Sequence, residues 1–339
     1  MADAPPPVIV IVGPTAVGKT GLAVRLAQAF DGVIISADSR QVYRYMDIGT
    51  AKPTPEERAA APHVLVDFLE PDEQLTLAEF QRMAYDAIDA AHAAGQLPLL
   101  VGGTGQYVQA VVEGWGIPRV APHPALRADL AGFAATYGAA ALHAWLADED
   151  PPAAERIDYR NVRRVVRALE VLLVSGQPIS EAQRRSPPPY TVLQIGLTRS
   201  RESLYSRIDA RVDQMMEAGL LQEVIDLLAR GYGWELPSMS SLGYRQFSDY
   251  LAGKNELEAA VQAIKRETRR FVRQQATWFQ KDDPAIRWYD LDETDATVIV
   301  AEVATWLRET GWTTGGSSPP PSRPGSPGCA ESSGCLPPR

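Results

Sequence analysis

The sequence predicts an α/β fold with a parallel sheet as its core, a helical insertion and a mostly helical C-terminal half. Two observations lead to this prediction. Short apolar runs alternate with amphipathic helical patterns through about the first 115 residues, an order typical of parallel strands joined by right-handed helical crossovers. After Pro118 the pattern becomes helical, rich in alanine and then in arginine, with a single further strand.

Length and composition limit the functional interpretation. The 339 residues correspond to about two domains. Hydrophobic residues make up 45% and charged residues 22%, which excludes wholesale disorder, a collagen-like chain and a coiled coil. No run of ~18 apolar residues is present, and the acidic, proline-rich start MADAPPP lacks the features of a secretory signal. Because the only cysteines are Cys329 and Cys335, no disulfide framework can form in the rest of the chain. We therefore expect a cytoplasmic protein without a membrane segment.

The first part of the core, residues 1–117, alternates strands and helices. The apolar run Val8–Val12 predicts a buried strand, and Leu22, Leu26 and Phe30 give the helix that follows one apolar face. A capping box at Thr76 and Glu79 predicts the start of a long helix. In order, the predicted elements are strand Val8–Val12, helix Thr20–Phe30, strand Val33–Ala37, strand His63–Phe68, helix Leu77–Ala94 and strand Leu97–Val101.

The remainder of the chain divides into three parts. Residues 118–157 form a helical insertion, 158–312 an arginine-rich part that completes the core, and 313–339 a disordered tail rich in Pro, Gly and Ser. In the second of these parts the predicted elements are helix Asn161–Ser175, strand Thr191–Leu197 and helices Glu202–Ala218, Leu220–Arg230, Glu256–Gln280 and Thr294–Glu309.

A phosphate-binding loop follows the first predicted strand. Its sequence fits the pattern G-x4-G-K-[ST] and opens a helix, the context in which backbone N–H groups converge on anionic oxygens. The lysine supplies positive charge, and the hydroxyl of Thr20 is a candidate ligand for Mg²⁺. The alternative is a plain glycine-rich turn. The motif indicates a P-loop NTPase-like core that binds phosphate or diphosphate through Gly13, Pro14, Thr15, Ala16, Val17, Gly18, Lys19 and Thr20, and does not by itself indicate ATP hydrolysis.

Two further candidates lie at the same edge of the predicted sheet. Asp38 follows the second strand, and Thr104 follows the strand Leu97–Val101 after two glycines. Because ligands bind at the carboxyl ends of parallel strands, these side chains and the phosphate loop should converge. Asp38 is a candidate Mg²⁺ ligand, general base or turn former. The two glycines permit close approach of a phosphate or a base, or form only a turn.

The charge distribution points to a polyanionic partner. A net charge of −9 and a pI near 5.1 argue against one when taken alone. Yet residues 156–211 contain eleven arginines, no lysine and five acidic residues, a local balance of +6. A second cluster, residues 265–273, has five basic residues and one acidic residue. Such runs are either solvated helix faces or phosphate-binding surfaces, and arginine suits bidentate phosphate contacts.

Seven stretches, in order over residues 8–310, resemble the bacterial tRNA dimethylallyltransferase family, also called tRNA isopentenyltransferases. They are GPTAVGKT (13–20), SADSRQVYRYMDIGTAKPTPEE (36–57), APHVLVD (61–67), PLLVGGTGQY (98–107), RVVRALEV (164–171), LGYRQF (242–247) and RQQATWF (273–279). The resemblance implies Mg²⁺-dependent transfer of a dimethylallyl group from dimethylallyl diphosphate to N6 of the adenosine 3′ of a tRNA anticodon, with release of diphosphate.

Site roles follow from the resemblance, residue by residue. The loop would hold the donor's diphosphate, Asp38 would take the N6 proton, and Thr104 and Arg211 would assist catalysis. The partners would be a tRNA anticodon stem-loop and dimethylallyl diphosphate, bound by a monomer. Contacts with tRNA would fall on Asp38, Ser39, Arg40, Gln41, Thr104, Arg127, Arg163, Arg164, Arg167, Ser240, Ser241, Leu242, Gly243, Tyr244, Arg245, Arg273, Gln274, Thr277 and Gln280.

Three other functions remain open from the sequence. A nucleotide or metabolite kinase would also have the loop and a strand-end aspartate, but the long arginine-rich half speaks against it. An adenylate isopentenyltransferase would use the same donor, whereas the full helical half and LGYRQ favour the tRNA enzyme. A nucleotide-gated RNA-binding module would have no chemistry, and Asp38 beside Thr104 argues weakly against it.

Overall fold

A computed structural model describes residues 5–118 and 120–312, so the predicted tail 313–339 and its two cysteines lie outside the described residues. The strands are β1 (Pro7–Val12), β2 (Gly32–Ser36), β3 (His63–Val64), β4 (Leu97–Val101), β5 (Thr191–Thr198) and β6 (Ile286–Asp290). They form a six-stranded sheet in the order β3-β2-β4-β1-β5-β6. Every neighbouring pair is parallel, which confirms the predicted α/β class.

Helices surround this sheet and extend beyond it. They are α1 (Lys19–Phe30), α2 (Pro55–Ala60), α3 (Leu77–Ala93), α4 (Gly105–Val112), α5 (Pro124–Tyr137), α6 (Ala139–Glu149), α7 (Pro151–Arg156), α8 (Val162–Ser175), α9 (Ile179–Ala182), α10 (Arg201–Glu217), α11 (Leu220–Ala229), α12 (Ser248–Leu251), α13 (Leu257–Gln275) and α14 (Ala296–Glu309). A 3-10 turn spans Arg245–Phe247. Within the described residues no helix is both long and apolar enough to cross a lipid bilayer.

The alternation of side chains along β1 builds the two layers of the core. Ile9 and Ile11 face a cluster formed with α1, α10 and α14. Val8, Val10 and Val12 face the opposite cluster, formed with α3 and α4. Because β1 is buried on both faces, its sequence is continuously apolar. Helices on both sides leave the carboxyl ends of the strands free to present their loops.

Most predicted elements of the sheet and its helices are confirmed to within a few residues. The capping box at α3 is present: Thr76 Oγ1 accepts from the Glu79 N–H at 3.2 Å, and Glu79 accepts from the Thr76 N–H at 2.8 Å. The third strand is shorter than predicted, because Leu65 and Asp67 take positive φ angles of 60° and 64° and turn the chain away. The edge strand β6 is missing from the predicted elements.

A third hydrophobic cluster lies beside the sheet and forms the helical lobe. It packs the segment after β2 against α10, α11 and α13 through residues such as Met46, Val212, Val224, Tyr244 and Ile264. Since the same segment contains the loop after Asp38, the lobe's core is directly continuous with the edge of the sheet.

The helical insertion has a hydrophobic cluster of its own. Leu142 and Leu146 of α6 pack against Val165 and Leu169 of α8. The predicted insertion ends at 157, but this packing places α8 in the same unit, because its apolar stripe faces α5 and α6 rather than the sheet.

Two neighbouring chain segments connect the insertion to the core. Gly116 N–H donates to Arg184 O at 2.9 Å, and Ser186 N–H donates to Gly114 O at 2.8 Å. The chain therefore enters and leaves the insertion at one place.

A buried carboxylate holds the insertion together. Glu170 accepts two hydrogen bonds from Arg127, one from Arg167 and one from the backbone N–H of His123, at 2.6–2.9 Å. Burial alone would raise the pKa of Glu170, but these hydrogen bonds outweigh that effect and lower the pKa to about 2. Arg127 and Arg167, both expected to contact tRNA, thus have a structural partner within the insertion.

We expect Glu170→Gln to lower the free energy of unfolding by about 1.5–3 kcal/mol at pH 7, since hydrogen bonds from charged donors lose their ionic acceptor. Because the folded-state pKa of Glu170 lies below the ordinary value of 4.5, this stabilisation is present above about pH 4.5 and is lost as the pH falls towards 2. Denaturant unfolding at several pH values measures both effects.

The control for this experiment is Glu155→Gln, an exposed glutamate on α7 of the same insertion. We expect it to leave the unfolding midpoint unchanged. Equal midpoints for the Glu170 and Glu155 variants at pH 7 would contradict the structural role of Glu170.

Candidate active site

The phosphate loop takes the conformation its glycines permit. Gly13 has a φ of 142°, and a Cβ there would lie 2.5 Å from Leu197 O on β5. Gly18 has a φ of 117° and precedes the first residue of α1. Lys19 Nζ donates to Gly13 O at 3.0 Å and to Pro14 O at 2.9 Å, across the mouth of the loop. The loop thus combines a helix N-terminus with a local cation, as an anion site requires.

Arginines from the β5–α10 region hold the loop from its other side. Arg207 Nε donates to Ala16 O at 2.9 Å, and Arg199 Nε donates to Val17 O at 3.0 Å. Arg211 Nη1 lies 3.4 Å from Thr15 Oγ1. The predicted role of Arg211 did not extend to Arg199 or Arg207, although both belong to the arginine-rich run seen in the sequence.

Burial dominates the electrostatics of this cation cluster. It lowers the pKa of Lys19 to about 8, an effect that nearby Asp38 opposes and Arg211 reinforces. Burial and then the charge of Arg207 lower the pKa of Arg211, whose guanidinium nonetheless stays protonated. Cations that have lost water gain most from a polyvalent anion, so the cluster suits a phosphate or diphosphate group.

The turns after β2 and β4 bring the predicted catalytic residues together. Asp38 Oδ1 accepts from the Arg40 N–H at 2.9 Å, and Thr104 Oγ1 accepts from the Ser39 N–H at 3.1 Å. Gly102 makes this possible, because a Cβ there would lie 2.1 Å from Ala37 O. Asp38 and Thr104 therefore line the same cavity, at the edge that carries the phosphate loop.

Two cavities meet at Asp38. The first, of about 910 Å³, is bounded by the phosphate loop, Asp38, residues 47–58 and the arginines of α10. The second, of about 660 Å³, lies between the turns after β2 and β4, residues 240–245 and the end of α13. Both are lined by Thr15, Ala16, Asp38, Thr50, Ala51, Arg211 and Met215. An anion bound in the first cavity and a molecule entering the second would thus both contact the region around Asp38.

Ten of the predicted tRNA-binding residues line the second cavity: Asp38, Ser39, Arg40, Thr104, Ser240, Ser241, Leu242, Gly243, Arg245 and Gln274. Sequence reasoning missed the exposed aromatic side chains of Phe271 and Trp278, which lie among them. Positive charge next to exposed aromatic rings is typical of surfaces that bind unpaired bases. Trp278 lies in the stretch RQQATWF and Phe271 lies just before it, but the sequence does not distinguish either ring from a core aromatic.

Tyr244 is a correction to the predicted tRNA contacts. Its side chain is fully buried, and its hydroxyl donates to Glu223 at 2.7 Å. The same carboxylate accepts from the backbone N–H groups of Asp47, Ile48 and Gly49 at 2.8–3.1 Å. Tyr244 is therefore unavailable to tRNA in this structure. Together with Glu223, it fixes the turn that walls both cavities.

The remaining predicted contacts lie outside the second cavity. Gln41 donates to Ala51 O at 3.0 Å and so supports the wall of the cavities. Apart from Arg127 and Arg167, which bind Glu170, the others are exposed and stay predictions: Arg163, Arg164, Arg273, Thr277 and Gln280.

A magnesium site stays a prediction as well. The described residues contain no group of three or more His, Cys, Asp or Glu side chains that could hold a metal ion. Thr20 lines the first cavity together with Lys19 and Asp38. Mg²⁺ commonly binds one or two protein oxygens together with phosphate oxygens and water, so the predicted Thr20 ligand fits that mode.

Comparison with known proteins identifies the family. A family model described as "IPP transferase" matches residues 41–282, and one described as "Isopentenyl transferase" matches residues 6–68. A tRNA dimethylallyltransferase of Roseiflexus sp. (strain RS-1) is 57% identical over 275 residues, which cover 81% of this chain and 90% of the relative. One of Chloroflexus aggregans is 54% identical over 293 residues, covering 86% and 99%.

Solved structures agree. The tRNA isopentenylpyrophosphate transferase of Bacillus halodurans matches with a TM-score of 0.67 and 41% identity, over 91% of this chain and 98% of that one. A eukaryotic dimethylallyltransferase acting on tRNA matches with a TM-score of 0.79 and 27% identity, over 90% and 80%. The chain therefore belongs to the IPP transferase family, the family of the tRNA dimethylallyltransferases.

Proposed function

We propose that this protein transfers a dimethylallyl group from dimethylallyl diphosphate to N6 of the adenosine 3′ of a tRNA anticodon. The observation that carries the proposal is the position of Asp38, which lines both the cavity of the phosphate loop and the cavity bounded by arginines and aromatic rings. A donor in one cavity and a nucleobase in the other would meet at a carboxylate. The relatives named tRNA dimethylallyltransferase support the same reaction.

The donor side fits a diphosphate ester. Lys19, Arg207 and Arg211 concentrate positive charge around the loop, and the burial of Lys19 and Arg211 strengthens their attraction for an anion. As the allylic C1–O bond breaks, negative charge grows on the diphosphate and positive charge grows on the allyl group. The buried cations stabilise the leaving group at that moment. Ile48, Pro53 and Met215 give the same cavity apolar walls suited to a short prenyl chain.

The acceptor side fits a base taken out of a stacked loop. Adenine N6 cannot reach an enclosed site while it remains in the stack, so the base must be flipped out. Arg40, Arg245 and Arg270 line the second cavity together with Phe271 and Trp278, which offer phosphate contacts and stacking surfaces. Arg163, Arg164 and Arg273 are exposed elsewhere and would bind the backbone of the anticodon stem.

Asp38 is the proposed base. The N6 amine is a poor nucleophile because its lone pair is delocalised into the ring. Removal of its proton by the carboxylate as the N6–C1 bond forms restores that lone pair. Thr104, whose hydroxyl accepts from the Ser39 N–H, keeps the segment that contains Asp38 in place. The products are N6-(dimethylallyl)adenosine and diphosphate, and the proton lost from N6 is transferred first to Asp38.

Magnesium would add charge neutralisation of the diphosphate when bound, with the Thr20 hydroxyl as its protein ligand. We expect the protein to act as a monomer in the cytoplasm. The direct experiment incubates the protein with dimethylallyl diphosphate, Mg²⁺ and unmodified tRNA. Nucleoside analysis should detect N6-(dimethylallyl)adenosine, and its absence would refute the proposal.

Asp38→Asn should reduce kcat by about 10²–10⁴-fold, the usual contribution of a general base, because the amide cannot accept the N6 proton. Donor binding should be retained, since Asn keeps the shape and the hydrogen bond from the Arg40 N–H. The matched control is Asp86→Asn, which alters an exposed carboxylate on α3 and should not change kcat. Turnover within tenfold of the unaltered protein would exclude Asp38 as the base.

Calorimetry distinguishes the prenyl donor from ATP. We expect dimethylallyl diphosphate to bind more tightly than ATP and inorganic diphosphate to compete with it, because the cavity that contains the cation cluster also has the apolar side chains of Ile48, Pro53 and Met215 for a prenyl chain. Lys19→Met should abolish binding of both prenyl and inorganic diphosphate. Preference for ATP, with ATP consumed and no allyl product formed, would support the kinase alternative.

Changing Arg163 and Arg164 to Ala together should weaken tRNA binding and leave donor binding unchanged. Each lost phosphate contact should reduce the slope of log K against log salt by about 0.7–0.9. Arg167 is left intact because it binds Glu170. The control pair is Arg82→Ala with Asp86→Ala on α3, which removes an exposed ion pair. An unchanged salt slope in the Arg163/Arg164 variant would remove these residues from the tRNA-binding surface.

A further inference from the structure

We infer that Gln275 is a positioning residue. It holds the phosphate loop at a fixed distance from the turn that contains Thr104, which in turn contacts the turn that contains Asp38. This inference rests on the proposed function. Predicted tRNA contacts lie on both sides of Gln275, at Gln274 and Thr277, but Gln275 is only 5% exposed, and although it borders the second cavity its carboxamide is bound to backbone groups inside the protein. Its neighbours Gln274 and Ala276 are exposed.

The carboxamide of Gln275 joins two turns at the sheet edge. Its Oε1 accepts from the backbone N–H of Thr15, in the phosphate loop, at 2.9 Å. Its Nε2 donates to Gly103 O, in the turn after β4, at 3.1 Å. Each backbone group thereby gains the partner that a buried polar group requires. One side chain from the end of α13 therefore fixes the separation of two loops that follow neighbouring strands, β1 and β4.

A further hydrogen bond connects the turn held by Gln275 to the segment that contains the proposed base. Gly103 precedes Thr104, whose hydroxyl accepts from the Ser39 N–H at 3.1 Å, next to Asp38. The path thus runs from the phosphate loop through Gln275 to the backbone of Ser39, the residue after Asp38. A Cβ on Gly103 would lie 2.3 Å from Gln275 Nε2 and 3.6 Å from Lys19 Nζ, so the carboxamide also lies close to the cation that faces the diphosphate.

Only a primary amide of this length meets both demands. Glutamate could accept from the Thr15 N–H but could not donate to Gly103 O. Asparagine is one methylene shorter and would not span the same two groups. Catalysis depends on the separation between the donor's C1 and the base, and a misplacement of about 1 Å can cost about 100-fold in rate. The residue type and its burial are thus explained by positioning rather than by contact with tRNA.

The principal variant is Gln275→Leu, which keeps the side chain's size and removes both hydrogen bonds. We expect kcat, at saturating donor and tRNA, to fall by about 10–100-fold. The dissociation constant of tRNA should stay within threefold of the unaltered value, since Gln275 is 5% exposed and its carboxamide is bound to Thr15 and Gly103 rather than free for tRNA. The matched control is Gln262→Leu, which changes an exposed glutamine on the same helix that donates to Glu258 one turn earlier, and its kcat should be unchanged.

Gln274→Leu provides the opposite pattern. Gln274 is exposed and lines the second cavity, so its loss should raise the KM for tRNA and leave kcat nearly intact. A purely structural effect of Gln275→Leu would lower Tm without separating kcat from KM. Thermal melts of all three variants identify that case, and it would overturn the inference.

A second variant disturbs the same pair of hydrogen bonds at Gly103, in case Gln275→Leu does not fold. Gly103→Ala would place a methyl group 2.3 Å from Nε2 and push the carboxamide away. We expect it to reproduce the low kcat and unaltered tRNA affinity.

Gln275→Glu should keep the Thr15 bond but place negative charge near Lys19, and so weaken binding of inorganic diphosphate by about tenfold or more.

The outcomes separate this inference from the proposed function. Allyl transfer by the unaltered protein with normal kcat in both Gln275→Leu and Gly103→Ala would reject the role of Gln275 alone. A loss confined to tRNA affinity would make Gln275 a tRNA-binding residue and also reject it. If the unaltered protein transfers no allyl group, the proposed function fails, and calorimetry with inorganic diphosphate still tests whether Gln275→Glu disturbs the loop.

Discussion

The structure depends on positive charge that is taken out of water at one edge of a parallel sheet. Lys19, Arg199 and Arg207 each donate to backbone carbonyl groups of the phosphate loop, so these cations have partners before any ligand binds. The loop is consequently braced by α10 as well as by its own helix. That bracing explains why a long helical part follows the sheet: it supplies the cations that an anion site needs.

The helical lobe is attached to the sheet through the site itself. Glu223 of α11 accepts from three consecutive N–H groups after β2, and Gln275 of α13 accepts from the phosphate loop. In both contacts a side chain on a helix binds backbone N–H groups of a loop, so the position of the helix fixes the geometry of that loop. The cavity walls and the expected tRNA surface are therefore parts of one hydrogen-bonded assembly rather than separate layers.

Local sequence signals predicted the sheet and the loop, because each signal is decided by neighbouring residues. The apolar run of β1, the capping box of α3 and the G-x4-G-K-T pattern need no knowledge of the rest of the chain. Contacts between distant residues were not accessible in that way. Tyr244 was grouped with tRNA contacts because its motif resembles the family, but only the packed lobe shows that it binds Glu223.

The bridge made by Gln275 was not predicted for the same reason, since the predicted tRNA contacts name only its neighbour Gln274. Gln274 and Gln275 are equivalent in sequence, and the turn of the helix decides which one is exposed. Similarly, Arg163 and Arg167 lie four residues apart on α8, yet only Arg167 reaches the buried carboxylate of Glu170. Which side of a helix faces another element depends on tertiary packing, and a single sequence does not show it directly.

The insertion's separate core has a further consequence for how sequence changes combine. Its apolar cluster closes on itself, and it joins the sheet at one place, where Gly114 and Gly116 pair with Ser186 and Arg184. Substitutions far apart and without shared partners have nearly additive energies. Changes within the insertion's core should therefore combine additively with changes at the sheet edge, so that this core is free to vary in sequence while the reaction chemistry stays fixed.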